Sequence, residues 1–276
     1  MPFTDRFKKK MSKLSYDQLI RNYPNQNAFL STLSKLTGYR KDAHLLTPGA
    51  DGAIKSIFEA LIAKGDKILC LNPSYQMYEI YAKIYQCNFI GIKLGLNYKL
   101  EINTIKKLIK NARIIFLANP NQPTGSLVPK GEIIEILNLA KKNRTIVVID
   151  EAYFPFSGST SIHLVRKYEN LIIIRSFSKA FGLAGLRLGF AVGETNIINI
   201  LAKVASAYPV NNLALSLGSL LLSQPSEYLN YIQQVKDSIK HYTPKLNKIG
   251  CNVLTTYTNF INIQLPRKIK SIDVVN

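Results

Sequence analysis

Residues 171–190 read Leu-Ile-Ile-Ile-Arg-Ser-Phe-Ser-Lys-Ala-Phe-Gly-Leu-Ala-Gly-Leu-Arg-Leu-Gly-Phe, and this stretch decides the fold. The apolar run Leu171 to Ile174 predicts a buried strand, and Leu188 to Val192 predict a second. The polar residues between them therefore sit on a connection at the strand ends. That connection carries Ser176, Ser178, Lys179 and Arg187 among Gly182, Gly185 and Gly189. Two hydroxyls and a guanidinium flank one lysine, and glycines allow close backbone approach. This set suits a phosphate-bearing ligand whose reactive carbonyl meets the amine. Lys179 is the candidate Schiff-base lysine. In a chain with 36 lysines and arginines, a solvated loop lysine is the competing reading, so the flanking segments must decide.

Working outward, Thr145-Ile-Val-Val-Ile-Asp-Glu-Ala-Tyr153 reads as a largely β-branched strand with Asp150 at its exit and Tyr153 just beyond. Ile114 to Leu117 form another strand, running into Ala-Asn-Pro-Asn-Gln-Pro-Thr-Gly (118–125). There the prolines and the glycine fix a turn at a strand's C-terminal edge, where open α/β sheets bind ligands. A strand at 66–72 leads to Pro73-Ser74-Tyr75 and a helix from about Met77; a strand at 89–92 precedes a helical stretch near 101–110. Thr-Pro-Gly-Ala-Asp-Gly-Ala-Ile (47–54) opens a helix patterned by Ile54, Ile57, Phe58, Leu61 and Ile62. Small residues there leave backbone amides free at the helix's positive end, an anion site. It is not a P-loop, because Ile54 precedes Lys55-Ser56 where a glycine is required. Strands alternating with helices from about 45 to 192 predict an α/β fold, a mainly parallel sheet sandwiched by helices. Every candidate site residue in that span falls at a strand-to-helix connection, so one sheet edge collects them.

The Phe-Ser-Lys-Ala-Phe-Gly-Leu-Ala-Gly-Leu-Arg-Leu-Gly run, the 118–125 turn and the order Asp150, Tyr153, Lys179 resemble the class I/II aminotransferases. These are pyridoxal-phosphate enzymes of the aspartate-aminotransferase fold, and the lysine motif is most similar to the histidinol-phosphate aminotransferase branch. The resemblance implies pyridoxal 5'-phosphate as cofactor, bound covalently by Lys179. It implies that Asp150 supports the pyridinium nitrogen, Tyr75 stacks on the ring, and Tyr153 donates to the phenolic oxygen. Asn121 or Gln122 supplies an amide to that same oxygen. Ala50, Asp51, Ser176, Ser178 and Arg187 are implied to hold the phosphate. Tyr23, in an Arg-Asn-Tyr-Pro segment, matches a tyrosine that reaches the neighbouring subunit's phosphate, which implies a homodimer with a shared active site. The substrates implied are small amino acids and keto acids, with glutamate as donor.

The expected organisation is an N-terminal arm and first helix (1–45), a large cofactor-binding domain (46–205), and a connecting helix with a short or incomplete α+β small domain (206–276). Helices are expected near 131–142, 195–206 and 212–240, and strands at 252–256 and about 260–263. The family has a C-terminal arginine that binds the substrate carboxylate. Here only Arg267 follows Arg187, and Gln264 stands where a second arginine is common. The cofactor pocket is thus expected to be complete and the substrate pocket not. Two alternatives stand beside this reading: a decarboxylase or lyase of the same fold, or a non-catalytic cofactor-binding or partner protein.

The net charge of +19 invites a nucleic-acid reading. The lysines are scattered, however, and no recognition module accompanies them, so no specific nucleic acid is expected. Cys70, Cys87 and Cys251 have no metal-ligand spacing and suggest a reducing cytoplasm. No uninterrupted apolar run reaches membrane-spanning length; the nearest candidate, 197–222, is broken by Lys203, Pro209, Asn211 and Asn212.

Overall fold

Ile146-Val-Val-Ile-Asp150 is β-branched at every position before the acid, and it forms the middle strand of a seven-stranded sheet. The computed structural model describes residues 3–266 together with 269 and 271. In chain order the elements begin with α1 (Asp5–Met11), α2 (Tyr16–Arg21), α3 (Gln26–Thr37), β1 (His44–Pro48) and α4 (Gly49–Leu61). Then come β2 (Lys67–Asn72), α5 (Met77–Ile84), β3 (Asn88–Lys93), α6 (Ile102–Leu108), β4 (Ala112–Ala118), α7 (Lys130–Asn143), β5 (Ile146–Asp150) and α8 (Phe154–Ser157). The chain continues through β6 (Leu171–Ser176), β7 (Leu188–Gly193), α9 (Thr195–Ala202), α10 (Asn212–Leu222), α11 (Pro225–Lys248), β8 (Asn252–Leu254) and β9 (Asn262–Gln264).

The large sheet has the order β1-β7-β6-β5-β4-β2-β3. β2, β3, β4, β5 and β6 pair in parallel, while β7 runs antiparallel to both β6 and β1. The sheet is buried on both faces. Val148, Ile172, Ile174 and Phe116 meet α4, α5 and α9 on one side. Val147, Ile149, Leu171, Ile173 and Leu117 meet α3, α7 and α10 on the other. This two-sided cover explains why the central strands read as continuous apolar runs instead of alternating ones. β8 and β9 form a separate two-stranded antiparallel sheet.

The parallel, helix-sandwiched sheet matches the sequence expectation, but three local readings are corrected. β1 lies where an N-terminal arm was expected to end. Its apolar content is only Leu45-Leu46, and pairing with β7, distant in sequence, makes it a strand. The arm itself holds α1 and α2 as well as the expected helix, and fully buried Phe7 anchors it. The helix expected over 212–240 is two helices. Pro225 disfavours helical backbone at Gln224 (φ −133°, ψ 71°) and then starts α11 at its first position. Among the described residues, no helix is long and apolar enough to cross a membrane. Arg267 lies outside the described residues.

Candidate active site

Because the parallel strands end along one edge, their exits converge there, and β7, running oppositely, contributes its start. A cavity of about 170 Å³ opens at this edge. Asp150 enters it from the end of β5, and Ser176, Ser178 and Lys179 from the end of β6. Arg187 enters just before β7, Ala50 and Asp51 from the first turn of α4, Tyr75 from the loop after β2, and Gln122 and Tyr153 from the loops after β4 and β5.

Asp150 is buried at 6% exposure and accepts two hydrogen bonds. Tyr78 Oη donates to Oδ2 at 2.9 Å and the Ala152 amide to Oδ1 at 3.0 Å. Among the described residues no cation pairs with it. Burial pushes its carboxyl up to about 6, while the two donors pull the other way. Tyr153 Oη donates to Gln122 Oε1 at 2.9 Å, and the Lys179 amine lies 5.2 Å from the Tyr153 ring centre.

At the other end of the cavity α4 begins without a side-chain cap, which leaves first-turn amides available to an anion. Asp51 there accepts from Tyr75 Oη at 2.7 Å and pairs with Arg187 Nη2 at 3.0 Å. Burial, then the Asp51 carboxylate, raises the Tyr75 phenol above its ordinary range. Arg187 holds a left-handed backbone, φ 51°, which is uncommon for a non-glycine residue and recurs at functional sites. The start of α4 comes so close to β7 that a Cβ on Gly189 would lie 2.5 Å from the Gly49 backbone. A side chain there would push the helix start away from Arg187.

Two candidates stand apart from this cavity. Asn121 is fully buried in its own turn. Its amide donates to the Pro73 carbonyl (2.9 Å) and Thr124 Oγ1 (2.8 Å) and accepts from Ser74 Oγ (2.7 Å), so it braces the loop while Gln122 faces the cavity. Tyr23 is 80% exposed and stacks on Tyr208 with ring centres 4.8 Å apart. Gln264 accepts from Asn252 across the small sheet at 2.7 Å. Sequence reading missed Tyr78, although its place one helical turn after Tyr75 was a usable signal.

A helix-sandwiched sheet with an amine, a buried uncompensated carboxylate and an uncapped helix start at one edge is the architecture of aspartate-aminotransferase-type pyridoxal-phosphate proteins. The chain belongs to the family described as aminotransferase class I and II, whose model matches residues 4–273. A histidinol-phosphate aminotransferase of Sulfurisphaera tokodaii is 35% identical over 228 residues, which cover 82% of this chain and 64% of that protein. The chain thus spans somewhat less than two thirds of that relative's length. The crystal structure of the histidinol-phosphate aminotransferase from Clostridium acetobutylicum superposes with a TM-score of 0.86 at 25% identity, covering 97% of this chain and 80% of that one. The Sinorhizobium meliloti histidinol-phosphate aminotransferase, solved in complex with pyridoxal-5'-phosphate, shares the fold at TM-score 0.85 and 17% identity, covering 94% of this chain and 72% of its own.

The family's cofactor is pyridoxal phosphate, and the donor set here fits it. Asp150 is a buried anion with no cation paired to it among the described residues, as a pyridinium partner requires. Lys179 supplies an amine to the same cavity, and Ser176, Ser178, Arg187 and the α4 amides supply donors for a phosphate.

Proposed function

We propose that the protein is a pyridoxal-phosphate-dependent aminotransferase of the histidinol-phosphate type. It moves an amino group from glutamate to a keto acid or related carbonyl, imidazole-acetol phosphate being the leading acceptor. The observation that carries this reading is the meeting of Lys179, Asp150 and the Gln122–Tyr153 pair in one cavity at the sheet's C-terminal edge. The relatives' printed names supply the substrate class.

Pyridoxal phosphate supplies an aldehyde and an electron-withdrawing ring that accepts charge from the substrate carbon. Lys179 Nζ would hold the cofactor through its aldehyde carbon and, as the free amine, would carry a proton between the substrate α-carbon and that cofactor carbon. Asp150 would hold the ring nitrogen, and its burial would make the attraction strong. Gln122 would donate its amide to the phenolic oxygen, and Tyr153 would do so by turning its hydroxyl away from Gln122; Tyr75 would pack against the ring. Ala50, Asp51, Ser176, Ser178 and Arg187 form the phosphate end, with Asp51 orienting Arg187. The protein works as a cytoplasmic homodimer in which exposed Tyr23 reaches the partner's phosphate; a monomeric mass at full cofactor occupancy would remove Tyr23 from this role.

The test is the absorption spectrum with pyridoxal phosphate, before and after glutamate, for the wild type and Lys179→Ala. A visible band lost in Lys179→Ala and bleached by glutamate is the expected result, with turnover falling at least about 10³-fold in the variant. A Lys179-dependent band indifferent to every amino acid would overturn the transaminase reading. Carbon dioxide release without a second keto acid would reassign the reaction to decarboxylation.

A further inference from the structure

Among the described residues, Asp150 is held by one side chain. Tyr78 sits on α5, one turn after Tyr75, with its ring fully buried against Phe116 (ring centres 4.9 Å apart, 20° between planes) and edge-on to Tyr75 (5.7 Å, 84°). Its hydroxyl ends 2.9 Å from Asp150 Oδ2, while the Ala152 amide holds Oδ1. We propose that Tyr78 is the positioning residue of Asp150: it aims the carboxylate into the cavity and keeps it ionised there. The inference rests on the reading that this cavity takes pyridoxal phosphate, whose ring nitrogen needs an anion opposite it.

A carboxylate at a strand end can rotate, and a rotated one offers no lone pair to the cavity. The two donors take one oxygen each and fix the plane of the group. Their arrangement also decides the charge. The groups that face Asp150 are the Asp51 carboxylate, the phenols of Tyr75 and Tyr78, and, across the cavity, the cations of Lys179 and Arg187; the Glu151 carboxylate acts on it from the other face of the sheet. The two carboxylates and burial favour the proton; the donated hydrogen bonds oppose it. Tyr78 cannot lose its own proton to do this, since burial, and then the Asp150 charge, hold its phenol well above the ordinary range. It is therefore a permanent donor. Phenylalanine would fill the same space against Phe116 and lack only the hydroxyl.

The test uses the cofactor-free protein first. Urea stability is measured from pH 4 to 8 for the wild type, Tyr78→Phe, Asp150→Asn and the double variant. In Tyr78→Phe the pH step due to Asp150 moves up by about one unit, a tenfold rise in proton affinity, because a hydrogen bond to the ionised form is gone. In the Asp150→Asn background the cost of Tyr78→Phe is the same at every pH. Absorption titration with pyridoxal phosphate then shows affinity about twofold weaker in Tyr78→Phe at pH 7, where about half instead of about nine-tenths of Asp150 is ionised, and about tenfold weaker at pH 5. An unmoved step with normal cofactor binding would overturn this proposal alone, leaving Tyr78 a packing residue. A wild type that takes no pyridoxal phosphate would instead remove the cofactor reading, and the ring-nitrogen role of Asp150 with it.

Discussion

Asp150 and Glu151 are adjacent acids at the end of one strand, and they live on opposite faces of the sheet under opposite rules. Glu151 is 2% exposed and fully paired. Arg175 Nη2 lies 2.9 Å from its Oε2, Thr160 Oγ1 donates at 2.8 Å, and the Ser161 amide completes the set. The same alternation on β6 puts Arg175 on that closed face, over the Phe154 ring at 3.6 Å, and Ser176 on the cavity face. Asp150, also buried, has two donors and no cation among the described residues. A charge that a fold needs for itself is neutralised inside the fold. A charge left uncompensated is available to something that arrives later.

The contrast breaks most visibly at Arg175. Arg175→Met leaves Glu151 ionised and buried without its guanidinium, and the expected loss is about 3–5 kcal/mol in urea unfolding. Adding Glu151→Gln removes the stranded charge while keeping acceptors for Thr160 and Ser161, and should recover a large part of that loss. On the cavity face Lys179→Met should change stability by under about 0.5 kcal/mol, since its amine has no carboxylate partner among the described residues. If the two cations cost the same to remove, the two faces do not differ in how they treat charge.

Much of this was readable beforehand, for a physical reason. Strands buried on both faces announce themselves as runs such as Ile146 to Ile149 and Leu171 to Ile174, and an edge shared by parallel strand exits gathers the polar residues just past each run. The features that escaped reading depended on partners far away in sequence. β1 is a strand because β7 lies beside it, not because of Leu45-Leu46. Tyr78 matters because α5 brings it beneath β5. The amide alternative at 121–122 stayed open because both residues belong to one turn, and only the turn's internal bonding shows that Asn121 is occupied within it.

The next effect sharpens the contrast through pH. The folded Asp150 carboxyl, at about 6, holds its proton more tightly than the ordinary value of 3.8. Between those values the folded chain binds more protons than the unfolded one, so this residue's contribution to stability falls as pH rises through the window. Above it, ionised Asp150 costs the cofactor-free protein up to about 3 kcal/mol, two units at about 1.4 each. Asp150→Asn should therefore stabilise the cofactor-free protein by about 1–3 kcal/mol at pH 7, with the gain fading to nothing near pH 4. Pyridoxal phosphate binding should weaken at the same time. Destabilisation at pH 7 would mean that Asp150 serves the fold as Glu151 does.

The smallest effect lies at the hydrogen bond between Tyr153 and Gln122. Both residues face the cavity, yet they satisfy each other, so the pair stands between the closed face and the open one. Tyr153→Phe keeps the edge-on packing against Phe260, with ring centres 5.6 Å apart, and removes only the donated bond. A neutral, partly buried bond of this kind contributes about 1 kcal/mol. A double-mutant cycle with Gln122→Ala in the cofactor-free protein should return a coupling of that size or less. If the pair serves the cavity, the larger signature is spectroscopic. With one donor to the phenolic oxygen gone, the pH midpoint of the bound cofactor's visible band should rise in Tyr153→Phe. A coupling well above about 1 kcal/mol with an unmoved band would place the pair with Glu151 and Arg175, as part of the bonding that holds the loops together.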